Sequence, residues 1–162
     1  MTIAYLGLGA NLGDRRDTIN RAVDILRQHH KIELKQVSTL IETEAVSVNP
    51  QPGYLNGVCC IETTVSVDDL FRITQKIESH LGRQKKGDGS SRTIDIDLLL
   101  YGDICINRTD LVVPHLRMHK RDFVLDPLFE ITPDLVHPIF KVMIRELRQN
   151  IKNREKRLAY EG

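Results

Sequence analysis

The order in which strand-like and helix-like apolar patterns follow one another along the chain constrains its fold most strongly. Short β-branched or apolar runs predict strands, and apolar residues at helical spacing predict amphipathic helices. The predicted segments are, in order, 3–9 (strand), 14–29 (helix), 32–43 (strand), 54–65 (strand), 66–82 (helix) and 93–101 (strand). The order β-α-β-β-α-β is typical of the ferredoxin-like α+β fold.

This order predicts an antiparallel sheet with both of the first two helices on one face. Four prolines break the pattern between residues 114 and 140, where we expect a short helix near 121–130. A basic amphipathic helix follows from Lys141. If these late helices cover the other face, the sheet lies between helices in a three-layer αβα arrangement. Gly102-Asp103 predicts a turn into a hairpin with 104–106.

Length and composition are those of one ordinary globular domain, which we expect to span residues 1–162. The formal net charge is +1, which gives little drive towards nucleic acids or acidic membranes. No apolar run approaches the roughly 20 residues that span a bilayer. The three cysteines show no Cys-x-x-Cys spacing, so a reducing compartment is the default. We expect a cytoplasmic monomer.

The sharpest chemical feature is a pair of acids within a predicted strand, Asp95-Ile96-Asp97. Residues two apart in a strand project from the same face of the sheet, so the two carboxylates lie together about 7 Å apart. Their repulsion is removed by a bound cation, and Mg²⁺ takes one or two carboxylates together with substrate phosphates. An ordinary solvated strand face with two acids is the alternative.

Residues 83–92, just upstream, contain no apolar side chain. The cations Arg83, Lys85, Lys86 and Arg92 are interleaved there with glycines and serines. A polyphosphate–magnesium ligand needs such cations beside an acidic pair, because the metal neutralises only part of the phosphate charge. A plain surface charge run is the alternative, but Arg92 lies only three residues before Asp95.

Other nucleotide motifs are absent from the sequence. Gly7-x-Gly9 follows the first strand, but the next glycine is Gly13, which breaks the spacing of a dinucleotide-binding fingerprint. The sequence has no P-loop motif and no nucleophile elbow. The chain is therefore expected to bind phosphate groups through its cations and through a metal ion held by its acidic pair.

One further pair of residues suggests a binding site for a flat molecule. Tyr54 and Asn56 open a strand directly after a Pro/Gly-rich loop. An aromatic ring and an amide can hold a heterocycle by stacking and paired hydrogen bonds. His115, Arg121 and Phe123 lie close together downstream, although a lone histidine is more often structural.

Five stretches of the sequence together carry a resemblance to known proteins: Tyr5–Asp14, Tyr54–Asn56, Arg92–Asp97, Val113–His115 and Arg121–Glu130. They occur in order between about residue 3 and residue 138, and Arg-Thr-Ile-Asp-Ile-Asp at 92–97 is the most specific of them. With these stretches the chain resembles one enzyme family, the 6-hydroxymethyl-7,8-dihydropterin pyrophosphokinases of folate biosynthesis.

The resemblance implies that the chain transfers the β,γ-pyrophosphoryl group of ATP to the hydroxymethyl oxygen of the pterin and releases AMP. It also implies two Mg²⁺ ions bound by Asp95 and Asp97, with Arg83 and Arg92 completing the catalytic set. The implied pterin-binding residues are Thr43, Val46, Tyr54, Asn56 and Phe123. The implied ATP-binding residues are Gln75, Glu78, Arg83, Arg92, Leu98, His115 and Arg121.

Two other functions stay open on the residues alone. A metal-dependent phosphoesterase would use the same acidic pair, although the sequence shows no further Asp/His cluster to complete a hydrolytic site. Ferredoxin-like sheets also bind RNA, but that function needs sheet aromatics in a pattern that this chain lacks.

Overall fold

The computed structural model describes residues 1–43, 53–82 and 94–161 of the chain. The predicted loop at 83–92, together with Arg83 and Arg92, lies outside these ranges, and so does Val46. In chain order the elements are β1 (Thr2–Ala10), α1 (Arg15–Gln28), β2 (Ile32–Val37), β3 (Ile41–Thr43), β4 (Tyr54–Thr63), α2 (Val67–His80), β5 (Asp95–Tyr101), β6 (Ile106–Asn107), β7 (Val112–Val113), a 3₁₀ turn (Met118–Lys120), α3 (Asp122–Ile131) and α4 (Ile144–Glu161).

The main sheet has the strand order β2-β4-β1-β5, and β3 also pairs with β4. Every strand pair in it is antiparallel. Both early helices begin at a side-chain cap, since Asp14 accepts from the Asp17 N–H and Ser66 accepts from the Asp69 N–H. The predicted ferredoxin-like fold is therefore confirmed, and the first residues of the predicted helices 14–29 and 66–82 are the capping residues Asp14 and Ser66.

Alternation along β1 divides the core into two layers. Ala4, Leu6, Leu8 and Ala10 pack with α1 and α2 on one face of the sheet. The other face carries Tyr5, which packs with Leu125 of α3 and Ile144 of α4 among other residues. The late helices thus cover the second face, and the predicted three-layer arrangement is confirmed. The buried side chains that α3 and α4 contribute to this second layer are Val124, Leu125, Leu128, Ile144 and Leu147.

Three irregularities shape the sheet. In the pairing of β2 with β4 the register shifts between Leu34 and Gln36. Leu6 pairs with Leu98 whereas Tyr5 pairs with Leu100, so Leu99 is an extra residue in β5 and forms a β-bulge. The predicted strand 32–43 is also split, because β2 and β3 both pair with β4 but are separated by residues 38–40.

The predicted hairpin with residues 104–106 is wrong. The turn exists, because Gly102 adopts a φ of 54°, a conformation that favours glycine. The chain after it does not return along β5, however. Instead, β6 forms its own two-stranded sheet with β7. The turn therefore leads away from the main sheet.

Candidate active site

Two glycines of β1 form the floor of the main candidate site. Gly7 lies opposite Asp97 and Gly9 lies opposite Asp95 in the pairing with β5. On the other side, Gly9 pairs with Asn56 of β4. Because these two positions carry no side chain, the sheet surface is open between the acids of β5 and the polar residues of β4. The sequence motif Gly7-x-Gly9 is thus a cavity floor and not part of a dinucleotide fingerprint.

A cavity of about 700 Å³ stands on this floor. That volume suits a small-molecule ligand, since such sites commonly measure roughly 300–1,000 Å³. The sheet and the start of α3 supply its walls. Its lining residues are Gly7, Leu8, Gly9, Glu42, Thr43, Tyr54, Asn56, Gly57, Asp95, Asp97, Asp122, Phe123 and Val124.

The two acids of β5 lie together on the cavity side, as the alternation predicted. Asp95 and Asp97 are partly buried, whereas Ile96 and Leu98 between and after them are buried in the opposite layer. The Asp97 side also borders a second cavity of about 310 Å³. Asp97 therefore lies where two adjacent ligand-sized spaces meet.

Asn56 is held in a defined orientation within the larger cavity. It is 7% exposed, and its Nδ2 donates to Thr43 Oγ1 over 2.9 Å. This hydrogen bond crosses from β4 to β3 and leaves the other polar positions of the Asn56 amide available to a ligand. Tyr54 and Phe123 line the same cavity from two different elements, β4 and α3. The predicted pterin-binding residues that the structure describes are therefore brought together.

An ion pair supports the edge of this cavity near β3. Glu42 lines the cavity and is hydrogen-bonded to the Arg15 guanidinium of α1. Arg15 Nη1 also donates to the Gly53 carbonyl over 2.8 Å. Arg15 thus links the start of α1 to residues directly before β4 and at the middle of β3.

His115 lines the second cavity together with Asp97 and interacts electrostatically with it. Partial burial lowers the pKa of the imidazole; Asp97 opposes that shift, while Arg121 and Arg117 add to it. His115 Nδ1 accepts from the Arg117 N–H over 3.2 Å. The neutral ring therefore carries its proton on Nε2 and can donate from there.

The second cavity has an apolar wall and a polar end. Phe71, Leu98, Leu111 and Val112 supply apolar surface, and Asp97, Asp110, His115 and Arg117 supply the polar groups. Phe71, Leu111, Val112 and Arg117 are absent from the predicted site. This apolar wall has no short sequence pattern, because its members come from α2, β5 and the segment around β7.

The remaining predicted residues occupy different environments. Glu78 is 5% exposed, and its Oε2 accepts from the Ile96 N–H over 3.0 Å, which joins α2 to β5. Gln75 is exposed on α2. Arg121 is partly buried, and its guanidinium carbon lies 5.5 Å from the centre of the Phe123 ring. The predicted ATP contacts of these three side chains stay predictions.

Metal-binding chemistry at this site depends on the two β5 carboxylates. Within residues 1–43, 53–82 and 94–161, no group of three or more His, Cys, Asp or Glu side chains is placed to hold a metal ion. Two carboxylates on an open floor nevertheless suit Mg²⁺, which takes much of its coordination from water and substrate phosphates. The residues present therefore fit a metal that binds together with a phosphate ligand.

The fold and the site define a class of protein: an enzyme with a ferredoxin-like αβα fold, in which two carboxylates line one ligand-sized cavity and one of them, Asp97, also borders a second. A comparison with family models makes the assignment particular. Residues 5–133 match the model for 7,8-dihydro-6-hydroxymethylpterin-pyrophosphokinase (HPPK). The chain belongs to this family, and the predicted enzyme of folate biosynthesis, which transfers pyrophosphate from ATP to the pterin, is confirmed.

Individual relatives agree with the family assignment. The chain is 37% identical over 148 residues to a 2-amino-4-hydroxy-6-hydroxymethyldihydropteridine pyrophosphokinase of Aquifex aeolicus, covering 91% of both chains. It is 41% identical over 129 residues to the Bacillus subtilis protein of that name, covering 80% of this chain and 77% of the relative.

Some relatives are much longer than this chain. The Schizosaccharomyces pombe folic acid synthesis protein fol1 is 40% identical over 156 residues, which is 96% of this chain but 21% of fol1. A Plasmodium falciparum HPPK-DHPS crystal structure with pteroate shares the fold, with a TM-score of 0.78 and 16% identity over 97% of this chain and 44% of that one. Among the described helices, none has the length and apolar character to cross a membrane.

Proposed function

We propose that the larger cavity binds the pterin and that the second cavity binds ATP, with two Mg²⁺ ions held by Asp95 and Asp97 between them. The observation that carries this proposal is the position of Asp97, which lines both cavities. A group transferred from one ligand to the other has to pass a point that both ligands reach. Asp97 and its neighbour Asp95 mark that point.

The larger cavity suits a flat, polar heterocycle. Tyr54 and Phe123 offer ring faces, and Asn56 offers an amide fixed by Thr43. Stacking favours a planar ligand between the rings, and the amide can pair with alternating donors and acceptors along the edge of a pterin. Val46 is proposed to add a contact from outside the described ranges.

The second cavity suits the adenosine end of ATP. β5 is an edge strand, and the Ile96 N–H points away from β1 towards Glu78. Leu98, two residues on, directs its backbone groups to the same outer edge, where a purine can pair with them. The apolar side chains that line this space favour a base, and His115 and Arg117 favour phosphate near Asp97.

The residues of the chain act mainly by positioning and by balancing charge. In the reaction, the hydroxymethyl oxygen of the pterin forms a bond to the β-phosphorus of ATP, the bond from that phosphorus to the α,β-bridging oxygen breaks, and the hydroxyl proton is released. Bound Mg²⁺ supplies charge neutralisation and orientation of the phosphates. Asp95 and Asp97 hold the metal end of the nucleotide, while Arg83, Arg92 and Arg121 are proposed to take the remaining phosphate charge, with Gln75 and Glu78 beside them.

Product analysis tests this proposal directly. The wild-type protein, ATP, Mg²⁺ and 6-hydroxymethyl-7,8-dihydropterin are expected to yield AMP and the pterin diphosphate in equal amounts. Omission of Mg²⁺ with a chelator is expected to abolish product formation. Formation of ADP, or release of phosphate without the pterin, would contradict the proposal and favour a γ-phosphoryl transferase or a phosphoesterase.

We also propose that residues 1–162 work as one monomeric, cytoplasmic domain, which light scattering and cell fractionation would check.

A further inference from the structure

The two ring-bearing walls of the larger cavity belong to elements that are far apart in sequence. Tyr54 lies at the start of β4, and Phe123 lies in the first turn of α3. A flat ligand stacked on both rings needs a gap of roughly 7–8 Å, since each carbon–carbon contact is about 3.5–4 Å. The width of this gap depends on where α3 sits relative to the sheet.

A side-chain link fixes the far end of α3 to the sheet. Glu130 Oε2 accepts from the Thr39 N–H over 2.8 Å, and Oε1 accepts from the same N–H over 3.2 Å. The Thr39 hydroxyl also donates to Oε1 over 2.6 Å. An ionised carboxylate makes such bonds stronger than neutral pairs. We call this link the Glu130–Thr39 clamp.

Thr39 lies in the short segment between β2 and β3. Val37 pairs with Cys59 and Ile41 pairs with Asn56, so residues 38–40 face only residues 57 and 58 on β4. This stretch is a β-bulge, with three residues opposite two. A bulge redirects the strand that follows it, and here that strand is β3 with Thr43.

The bulge is shaped by specific contacts on β4. The Val58 N–H donates to Ser38 Oγ over 2.9 Å, and the Ser38 N–H donates to the Val58 carbonyl over 2.8 Å. Gly57 leaves room for it, because a Cβ atom there would lie 2.5 Å from Leu40 Cδ2. The bulge in turn places Thr43, which orients the Asn56 amide.

We infer that Glu130 is a positioning residue for the pterin site: by binding Thr39, it joins the helix that carries Phe123 to the bulge that orients Thr43 and Asn56. The inference rests on the proposed assignment of the pterin to this cavity. Glu130 itself does not line the cavity, so its effect is transmitted through α3 and β3. The clamp does not border the second cavity, so nucleotide binding should be insensitive to it.

Glu130→Ala and Asp126→Ala form a matched pair for the test. Both remove a carboxylate from α3, but Asp126 accepts from Arg148 Nε of α4 over 2.8 Å, and the hydrogen bonds among the described residues do not join it to the bulge. Titration calorimetry would measure binding of the pterin, and separately of an ATP analogue with Mg²⁺. We expect Glu130→Ala to weaken pterin binding about five- to tenfold, as a small misplacement of a positioned group does, with the nucleotide affinity within about twofold of wild type. Asp126→Ala should leave both affinities within about twofold.

A double-mutant cycle separates positioning from general destabilisation. Thr39→Val removes the hydrogen bond of the hydroxyl group but keeps the backbone N–H. The cycle consists of Glu130→Gln, Thr39→Val and the double variant, and each of these proteins retains part of the clamp. Non-additive losses of pterin affinity would support the inference. Equal losses of pterin and nucleotide affinity, additive effects, or the same result for Glu130→Ala and Asp126→Ala would overturn it. If the wild-type protein does not bind the pterin at all, the proposed function fails instead.

Discussion

The two faces of β1 differ sharply in what their side chains build. On the side of α1 and α2, each alternate residue is an apolar side chain that is almost completely buried, such as Leu6 and Leu8. On the side of α3 and α4, the alternate positions after Tyr5 are Gly7 and Gly9. One strand therefore builds the core with one set of residues and leaves space for a ligand with the other. The comparison shows that the cavity arises from missing side chains within a well-packed sheet.

The largest expected effect concerns the acids that border the glycine floor. Asp97→Ala is expected to lower kcat about 10²–10³-fold or more, because it removes a preorganised charge at the point of transfer. The substitution lies on the open face, so circular dichroism and the melting temperature should change little. Asp103→Ala, an exposed acid just after β5, is the control and should keep full activity. An active Asp97→Ala enzyme would remove the metal-site proposal.

The opposite face should show the reverse behaviour. Leu6→Ala deletes a fully buried side chain from the α1/α2 layer, and such deletions cost about 2–5 kcal/mol. Chemical denaturation would measure the loss of unfolding free energy. The KM for the pterin, measured well below the melting temperature, should stay within about twofold of wild type because the residue points away from the cavity. A raised KM for the pterin in a fully folded Leu6→Ala variant would show that the two faces are coupled.

The α3/α4 side also contains a polar turn whose contribution to stability we expect to depend on pH. His137 is 2% exposed, and its Nδ1 accepts from the Ile139 and Phe140 N–H groups at 3.2 Å each. Burial, with a smaller contribution from His119, lowers the pKa of His137 to about 4. In the unfolded chain the His137 imidazole takes up a proton near pH 6.5, whereas in the folded protein it does so only near pH 4. The free energy of unfolding therefore decreases as the pH falls from about 6.5 towards 4.

His137→Asn tests this pH dependence, because the Asn oxygen can replace Nδ1 as an acceptor without titrating. Between pH 7 and pH 4.5, wild-type unfolding free energy should fall by up to about 2–3 kcal/mol more than that of the variant. Urea denaturation at both values would measure the difference. Parallel pH curves for the two proteins would show that His137 does not carry the effect.

The smallest effect concerns the two glycines themselves. A Cβ atom on Gly9 would lie 3.0 Å from Asn56 Oδ1, a tight contact, whereas one on Gly7 would lie 3.5 Å from Leu99, an ordinary contact. Gly9→Ala is therefore expected to displace the Asn56 amide and raise the pterin KM about three- to tenfold, and Gly7→Ala to raise it less than about twofold. Steady-state kinetics on both variants would decide, and equal KM values would show that Asn56 adjusts without cost.

Much of the fold followed from the sequence, because periodicity and caps are local properties. The alternation at Asp95, Ile96 and Asp97 correctly predicted which side chains face the cavity and which face the core. The bulges were not predictable, since each depends on a register between strands that are distant in sequence. Without the bulge at Leu99, residues 98 and 100 would share one layer, whereas the structure places them in opposite ones. The hairpin prediction at 104–106 failed for the same reason, because the choice of partner for β6 is a tertiary one.

The sequence by itself determined the family, the order of elements and the acidic pair, because each of these depends on local sequence patterns. Only the tertiary structure decided that Gly7 and Gly9 form a floor, that Asp97 borders two cavities and that Glu130 reaches Thr39 across 91 positions. These features depend on contacts between residues far apart along the chain. Such contacts exist only after the sheet has formed and both helical layers have packed against it.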